Sequence, residues 1–300
     1  MNGGFRGLLG RRDTSRFKAF LLAIAVQMFF LSLLRAFNVL NFWMPPFYPL
    51  AVTLGGFLFG LAMNWSGGCP AGVWYKFGSG NLGALAAIVG LTAGYVIMQT
   101  GFLRPWRVAI QSALMPRAMA LDLSNMVPFP LWMLAFGVSL VLLFVLLHNA
   151  GSDMFRPWAW PAVGMATGLI GTAAWVISSL YGRNFGMAIL PGSESLAALL
   201  LFQPLKAVNW DLLFVLGIPM GSLVAARASG AMQRPGLPVR KAARHASGGF
   251  VLGATGSLAG GCTVGHGLAA IPLLSLSSIL FILFAILGAW FGLLLERRKS

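Results

Sequence analysis

The chain has two cysteines, and each lies in the same local sequence. Residues 55–72 read GGFLFGLAMNWSGGCPAG, and residues 248–265 read GGFVLGATGSLAGGCTVG. At a constant offset of 193 residues, eight of these eighteen positions are identical, including the Gly-Gly-Cys triplets that contain Cys69 and Cys262. A thiol can donate a weak hydrogen bond, ionise to a nucleophile or bind a soft metal. The repeated segments are therefore the first place to look for chemistry.

The residues around each cysteine predict a helix that breaks and then restarts. The two glycines before each cysteine can adopt backbone angles that other residues avoid, which lets a helix end there. Pro70 suits the first position of a new helix, because its missing N–H is not needed there. Free N–H groups at such a helix N-terminus attract anions. The predicted site residues are Gly67, Gly68, Cys69, Pro70, Gly72, Gly260, Gly261, Cys262, Thr263, Gly265 and His266.

Other roles for these side chains stay open on the sequence alone. A single buried cysteine is most often a small apolar residue, and a disulfide needs two Cα atoms within about 7 Å. His266 lies one helical turn after Cys262, but one thiol and one imidazole make half of a metal site. The first repeat has Lys76 nearby instead of a histidine. We expect no metal and no cofactor, and a packing or hydrogen-bonding role for His266.

The composition predicts that most of the chain faces lipid or other helices. Of 300 residues, 58% are apolar and 9% are charged, whereas a soluble domain has about 25% charged residues. We therefore expect one integral membrane domain over residues 1–300, all-α, with about eight to nine transmembrane helices. The apolar runs that predict them cover residues 17–37, 49–66, 81–103, 131–149, 157–181, 209–228, 247–260 and 274–295.

The net charge of +15 is explained by lipid rather than by nucleic acid. The basic residues cluster at both termini and in the loop 229–246, beside apolar spans. Such clusters mark the cytoplasmic side and face anionic lipid. With the N-terminus inside, eight crossings place all these clusters and both termini in the cytoplasm of a bacterium. The basic loop 104–130 then falls outside the inner membrane, against the general rule.

This topology makes the repeat an inverted one. The segment 49–66 enters the membrane from outside and 247–260 enters from inside, and the spans 17–37 and 209–228 ahead of them are also opposed. In this arrangement, transport sites form at the repeat interface near the midplane. Broken backbone is tolerated in lipid where protein encloses it or where it lines a cavity.

Inverted repeats are therefore predicted over about 17–103 and 209–295, with central helices at 131–181 and short broken helices meeting at a central constriction. Arg35 lies late in the first span. It is a possible anion attractor, and a position at the membrane interface explains it equally well.

The paired segments resemble those of the YeeE/YedE family of sulfur-compound membrane transporters. The shared pattern G-x-x-x-G…A/S-G-G-C-x-x-G runs from Gly56 to Gly72 and from Gly249 to Gly265. The resemblance implies uptake of thiosulfate or a related sulfur anion through an hourglass in which Cys69 and Cys262 hand the ion along. It also implies a TusA-like sulfur carrier on the cytoplasmic side, which would be a separate protein here. Thiosulfate transporters of the family have a third cysteine near the entrance, and this chain has two cysteines, so another sulfur or selenium solute stays open.

Two other classes of protein remain possible at this point. One is a membrane redox protein that forms covalent persulfides on Cys69 and Cys262. The other is a membrane scaffold without transport activity. The chain has no Walker A sequence, HExxH motif or dinucleotide-binding glycine motif, so we expect a protein that is not an enzyme.

Overall fold

The computed structural model describes residues 2–10, 14–113, 130–156, 158–201, 208–233 and 239–297. These residues form helices and connecting turns without any strand, which confirms the predicted all-α class. The α-helices are α1 (Asn2–Gly10), α2 (Ser15–Ala36), α3 (Pro49–Trp65), α4 (Pro70–Gly78), α5 (Leu82–Gln99), α6 (Arg104–Ser112), α7 (Leu131–His148), α8 (Trp160–Leu180), α9 (Leu190–Leu200), α10 (Trp210–Ala228), α11 (Val239–Ala259) and α12 (Leu276–Arg297).

Seven helical segments in the described ranges are long and apolar enough to cross a membrane. They are Ser15–Ala36, Pro49–Gly78, Leu82–Gln99, Leu131–His148, Trp160–Leu180, Trp210–Ala228 and Leu276–Glu296. The eighth crossing expected from the sequence, 247–260, is the second half of α11. The first half of α11 carries Lys241 and Arg244, so the whole helix is too charged to match a simple span.

Helices α3 and α11 cross at the centre of the molecule and run in opposite directions. Gly55, early in α3, lies so close to the end of α11 that a Cβ on it would be 3.0 Å from the Cβ of Ala259. Gly248 of α11 makes the matching approach to the backbone of Trp65 and Ser66 at the end of α3. The two segments that carry the cysteines therefore point into the protein from opposite ends.

Another helix flanks each of these central helices, and the contacts match between the two sides. Gly60 of α3 packs against the carbonyl oxygen of Ala285 in α12, and Gly253 of α11 packs against the carbonyl oxygen of Leu91 in α5. Gly60 and Gly253 are 193 residues apart, the offset of the sequence repeat. Small residues let helix backbones approach closely in lipid, where van der Waals packing drives association.

The remaining long helices lie at the periphery. Helix α2 packs on α8, where Leu22 contacts Gly164 and Val26 contacts Gly168. Helix α7 lies on the other side of α2, and of its apolar side chains Leu131 and Ala135 are buried; Phe144, by contrast, is 71% exposed. An apolar surface of this kind suits contact with lipid chains.

Replacing Gly60 or Gly253 with alanine is expected to destabilise the protein, because each added Cβ collides with a carbonyl oxygen of the flanking helix. Overpacking of this kind costs about 1–3 kcal/mol. The measurement is the melting temperature in detergent, followed by tryptophan fluorescence. Gly137→Ala in α7 is the matched control, because no atom lies within 4 Å of the added Cβ there. Equal melting temperatures for all three variants would contradict the packing described above.

Candidate functional site

The first helix break lies between α3 and α4. Gly67 has φ of +81°, a left-handed conformation that a residue with a Cβ rarely adopts. Cys69 follows with extended backbone angles, φ −73° and ψ 165°, and caps the N-terminus of α4. Pro70 lies in the first turn of α4, where its missing N–H leaves no helix hydrogen bond unmade.

The second break follows α11 and begins in the same way. Gly260 has φ of +83°, and Cys262 is again extended, with φ −117° and ψ −178°. The chain then forms a π-helix over Thr263–Ala270 and a 3-10 turn over Ile271–Leu273, instead of a second α-helix. Single π-helical turns occur frequently at functional sites.

Both thiols are buried, and they do not form a disulfide. Cys69 is 4% exposed and Cys262 is 2% exposed, and they belong to one apolar cluster. The Cys69 thiol lies beside the Gly72 backbone at the start of α4 and near the Thr263 side chain of the other repeat. The two breaks therefore meet inside the protein.

A cavity of about 310 Å³ reaches the second of the two breaks. At its base it is lined by Gly260, Gly261, Cys262, Gly265 and His266. Its described lining includes neither Cys69 nor any carboxylate side chain. The cavity therefore borders one thiol, and the carboxylates of Glu194 and Asp211 lie behind its lining, where they act electrostatically on Tyr95.

Aromatic and polar side chains from separate elements form the wall of this cavity. The Trp43 ring packs edge-on against Phe185 at 5.4 Å, and the backbone N–H of Trp43 donates to the Asn184 carbonyl at 2.9 Å. The polar and basic lining side chains are Tyr48, Tyr95, Gln99, Arg107, Gln111, Arg183 and Ser257. Two of them are permanent cations, because a guanidinium stays protonated in proteins.

His266 stabilises the second break through hydrogen bonds to residues on neighbouring helices. Its Nε2 lies 3.1 Å from the carbonyl oxygen of Ala259, the last residue of α11, and its Nδ1 lies 2.9 Å from Ser278 Oγ. Because a carbonyl oxygen only accepts, Nε2 carries the proton in this hydrogen-bond pattern. The ring also stacks on Phe281 at a centroid distance of 4.3 Å. The imidazole thus joins the π-helix to the end of α11, on both sides of Cys262.

The backbone at the first break is covered by a side chain, whereas the backbone at the second break faces open space. A Cβ on Gly67 would lie 2.8 Å from Cε1 of His245, whereas no atom lies within 4 Å of the same point on Gly260. Lys76 Nζ donates a hydrogen bond to the Gly67 carbonyl at 2.5 Å. The residue of the first repeat that matches His245 is Val52, which is too short to take the same role at Gly260.

Arg35, considered as an anion attractor from the sequence, lies elsewhere. It lines a small crevice with Leu31 and Leu131, and its guanidinium carbon is 5.9 Å from the centre of the Phe42 ring. Arg107 and Arg183 line the cavity instead. One sequence feature could have indicated Arg107. It lies in the loop 104–130, which is basic although the predicted topology places it outside, where the positive-inside rule predicts few basic residues.

Metal ligation finds no support in the described part of the chain. No group of three or more His, Cys, Asp or Glu side chains there is placed to hold a metal ion. His266 and Cys262 share the cavity base, but both nitrogens of His266 are engaged in hydrogen bonds with protein groups. The arrangement instead provides thiols, helix N-termini and guanidinium groups, which are suited to an anion.

Known proteins of similar sequence agree with this chemistry. The family model described as sulphur transport matches residues 1–291. The thiosulfate transporter TsuA of Escherichia coli (strain K12) is 26% identical over 97% of this chain and 87% of its own length. The TsuA of Spirochaeta thermophila is 29% identical over 96% of this chain and 90% of its own length. Since the family match covers nearly the whole chain, this protein belongs to the sulphur transport (YeeE/YedE) family of membrane proteins.

Proposed function

We propose that this protein takes up a small sulfur-containing anion, such as thiosulfate, across the bacterial inner membrane. The main support for this proposal is the position of the Cys262 thiol. It lies at the base of a cavity that has two guanidinium groups and no carboxylate in its described lining. The curated relatives are named thiosulfate transporters, which supports the same class of solute. In this proposal the protein is a transporter and not an enzyme.

The cavity faces the outside in this proposal. Helix α11 has 21 residues, so about 30 Å separates its ends, and Ala259 marks the cavity end. Lys241 and Arg244 lie near the opposite end, where the positive-inside rule places the cytoplasm. The N- and C-termini are then cytoplasmic, and a separate TusA-like sulfur carrier would meet the protein on that side.

One transport domain over 1–300 accounts for these features, with inverted repeats over about 17–103 and 209–295 around central helices at 131–181. The anion would enter past Cys262 and pass to Cys69 at the constriction. The path residues in this proposal are Gly67, Gly68, Cys69, Pro70, Gly72, Gly260, Gly261, Cys262, Thr263, Gly265 and His266.

The thiols favour an anion with a soft terminal atom. A thiol is a weak hydrogen-bond donor, so it replaces the hydration of a hard oxygen poorly, and desolvating a charge without good partners is costly. Terminal sulfur or selenium is polarizable and less strongly hydrated than the oxygens of sulfate. The thiols therefore contribute selectivity in addition to forming a passage.

Removal of either thiol is expected to impair transport without unfolding the protein. Uptake of radiolabelled thiosulfate into proteoliposomes should fall about tenfold or more in Cys69→Ala and Cys262→Ala, a loss of about 1.4 kcal/mol or more. Ser32→Ala is the control, since Ser32 Oγ is a buried group that donates to the Met28 carbonyl in the peripheral helix α2. Wild-type uptake rates in both cysteine variants would rule out a role for the thiols.

Competition distinguishes thiol contact from general attraction of anions. Unlabelled thiosulfate and selenosulfate should inhibit the uptake of labelled thiosulfate, whereas sulfate at the same concentration should inhibit it weakly. The reason is the stronger hydration of an anion that presents oxygens alone. Equal inhibition by sulfate would show that the thiols do not set the selectivity.

The two thiols should differ in their reaction with a charged, membrane-impermeant methanethiosulfonate reagent. Cys262 in the Cys69→Ala protein should react from outside, because the cavity reaches it. Cys69 in the Cys262→Ala protein should react slowly from either side, because His245 covers the first break. Reaction is measured as mass added to the intact protein. Faster labelling of Cys262 from the cytoplasmic side would reverse the proposed orientation.

A further inference from the structure

The two guanidinium groups of the cavity differ in their partners. Arg183 forms an ion pair with Asp211, whose side chain is 3% exposed, and lies 6.0 Å from the centre of the Phe185 ring. The negative charge of Asp211 therefore compensates Arg183. Breaking a buried pair of this kind leaves an uncompensated charge and is strongly destabilising, so Arg183 has a structural function in holding the cavity wall.

Arg107 contacts a neutral side chain instead, and the carboxylate of Glu194 acts on it electrostatically without forming an ion pair. Its Nη1 lies 3.5 Å from Oε1 of Gln111, and in the described ranges it forms no ion pair with a carboxylate within 4.0 Å. Its Nε is buried and makes no hydrogen bond to a described residue. A guanidinium has five N–H donors, and a partly buried cation with unused donors is stabilised by any anion that reaches it.

Gln111 connects this cation to the second helix break. It lies one helical turn after Arg107 on α6, so both side chains are on one face of the helix. Its Nε2 donates to the carbonyl of Leu258 at 2.9 Å, and Leu258 is four residues before Cys262. The amide of Gln111 is thus engaged at both ends and holds the guanidinium at the rim of the thiol site.

The wall beside this connection adds neutral hydrogen-bond donors. Ser257 Oγ donates to Oε1 of Gln99 at 2.9 Å. Because the amide oxygen of Gln99 is used in this way, its amide nitrogen remains as the donor end of the side chain. Ser257 and Gln99 line the same cavity as Arg107.

We propose that Arg107 binds the oxygen end of the transported anion while Cys262 contacts its soft end, with Gln111 as the residue that positions the guanidinium. The inference rests on the proposed function and specifies its substrate class: an anion with an oxyanion group at one end and sulfur or selenium at the other. The planar fork of an arginine binds two oxygens at once. Neutral sulfur compounds lack that group and would be selected against at the entrance.

Arg107→Gln should raise the thiosulfate KM for uptake about tenfold or more, as expected for the loss of charge-assisted hydrogen bonds, and should change the maximal rate little. Arg107→Lys should recover part of the affinity, because it restores charge without the fork. Arg104→Gln is the matched control, since Arg104 is exposed on the same helix and outside the cavity lining. A wild-type KM in Arg107→Gln, or a loss confined to the maximal rate, would overturn the proposal.

Two substitutions of Gln111 separate positioning from a purely structural role. Gln111→Met removes the hydrogen bonds but keeps the volume, and it should raise KM moderately. Gln111→Glu keeps an acceptor for Arg107 but adds a negative charge beside it, so it should raise KM more than Gln111→Met does. If Gln111→Glu behaved like wild type, the oxygen end of the anion would not lie at Arg107.

A second measurement does not depend on transport. It therefore distinguishes failure of the proposed anion site from failure of the proposed function. Thiosulfate, sulfite and sulfate are each tested for protection of Cys262 against the methanethiosulfonate reagent, in wild-type protein and in the Arg107→Gln and Arg107→Lys variants. Loss of protection in Arg107→Gln with partial recovery in Arg107→Lys supports the anion site, even if uptake of thiosulfate is absent and the proposed function fails. Unchanged protection in Arg107→Gln overturns the anion site, even if uptake confirms the proposed function.

Discussion

Two helices end inside a membrane protein, and their free backbone groups must be enclosed by protein. In lipid, each unsatisfied N–H or C=O group costs several kcal/mol, so the breaks at Gly67 and Gly260 must be shielded from lipid by neighbouring helices. Helices α5 and α12 provide this shielding through contacts in which a glycine meets a carbonyl oxygen. The many glycines of this chain thus follow from the need to enclose broken helices tightly.

The two breaks are enclosed to different degrees. At the second break His266 holds the end of α11 from behind, and the cavity remains open to Cys262. At the first break His245 covers Gly67 while Lys76 holds its carbonyl. Cys262 therefore borders the cavity, whereas the break that carries Cys69 is covered by His245.

Much of this arrangement follows from local sequence. The repeated Gly-Gly-Cys triplets predict the breaks, Pro70 predicts the restart of α4, and hydropathy predicts the all-α class. Contacts between distant residues were not predictable, since nothing near Arg107 in the sequence indicates its connection through Gln111 to α11. Arg35 matched the expectation for an anion attractor by its position in a span, but packing places it in a different crevice. The π-helix after Cys262 also has no local signature.

The central claim is that the soft atom of the transported anion lies against the Cys262 thiol with its oxygens toward Arg107. Crystals of the protein soaked with selenosulfate, measured at the selenium absorption edge, locate that atom directly by anomalous diffraction. The expected result is a selenium peak in the cavity in van der Waals contact with Cys262 Sγ, at about 4 Å. A bound anion with its selenium directed away from Cys262, or a peak confined to a different part of the molecule, would contradict it.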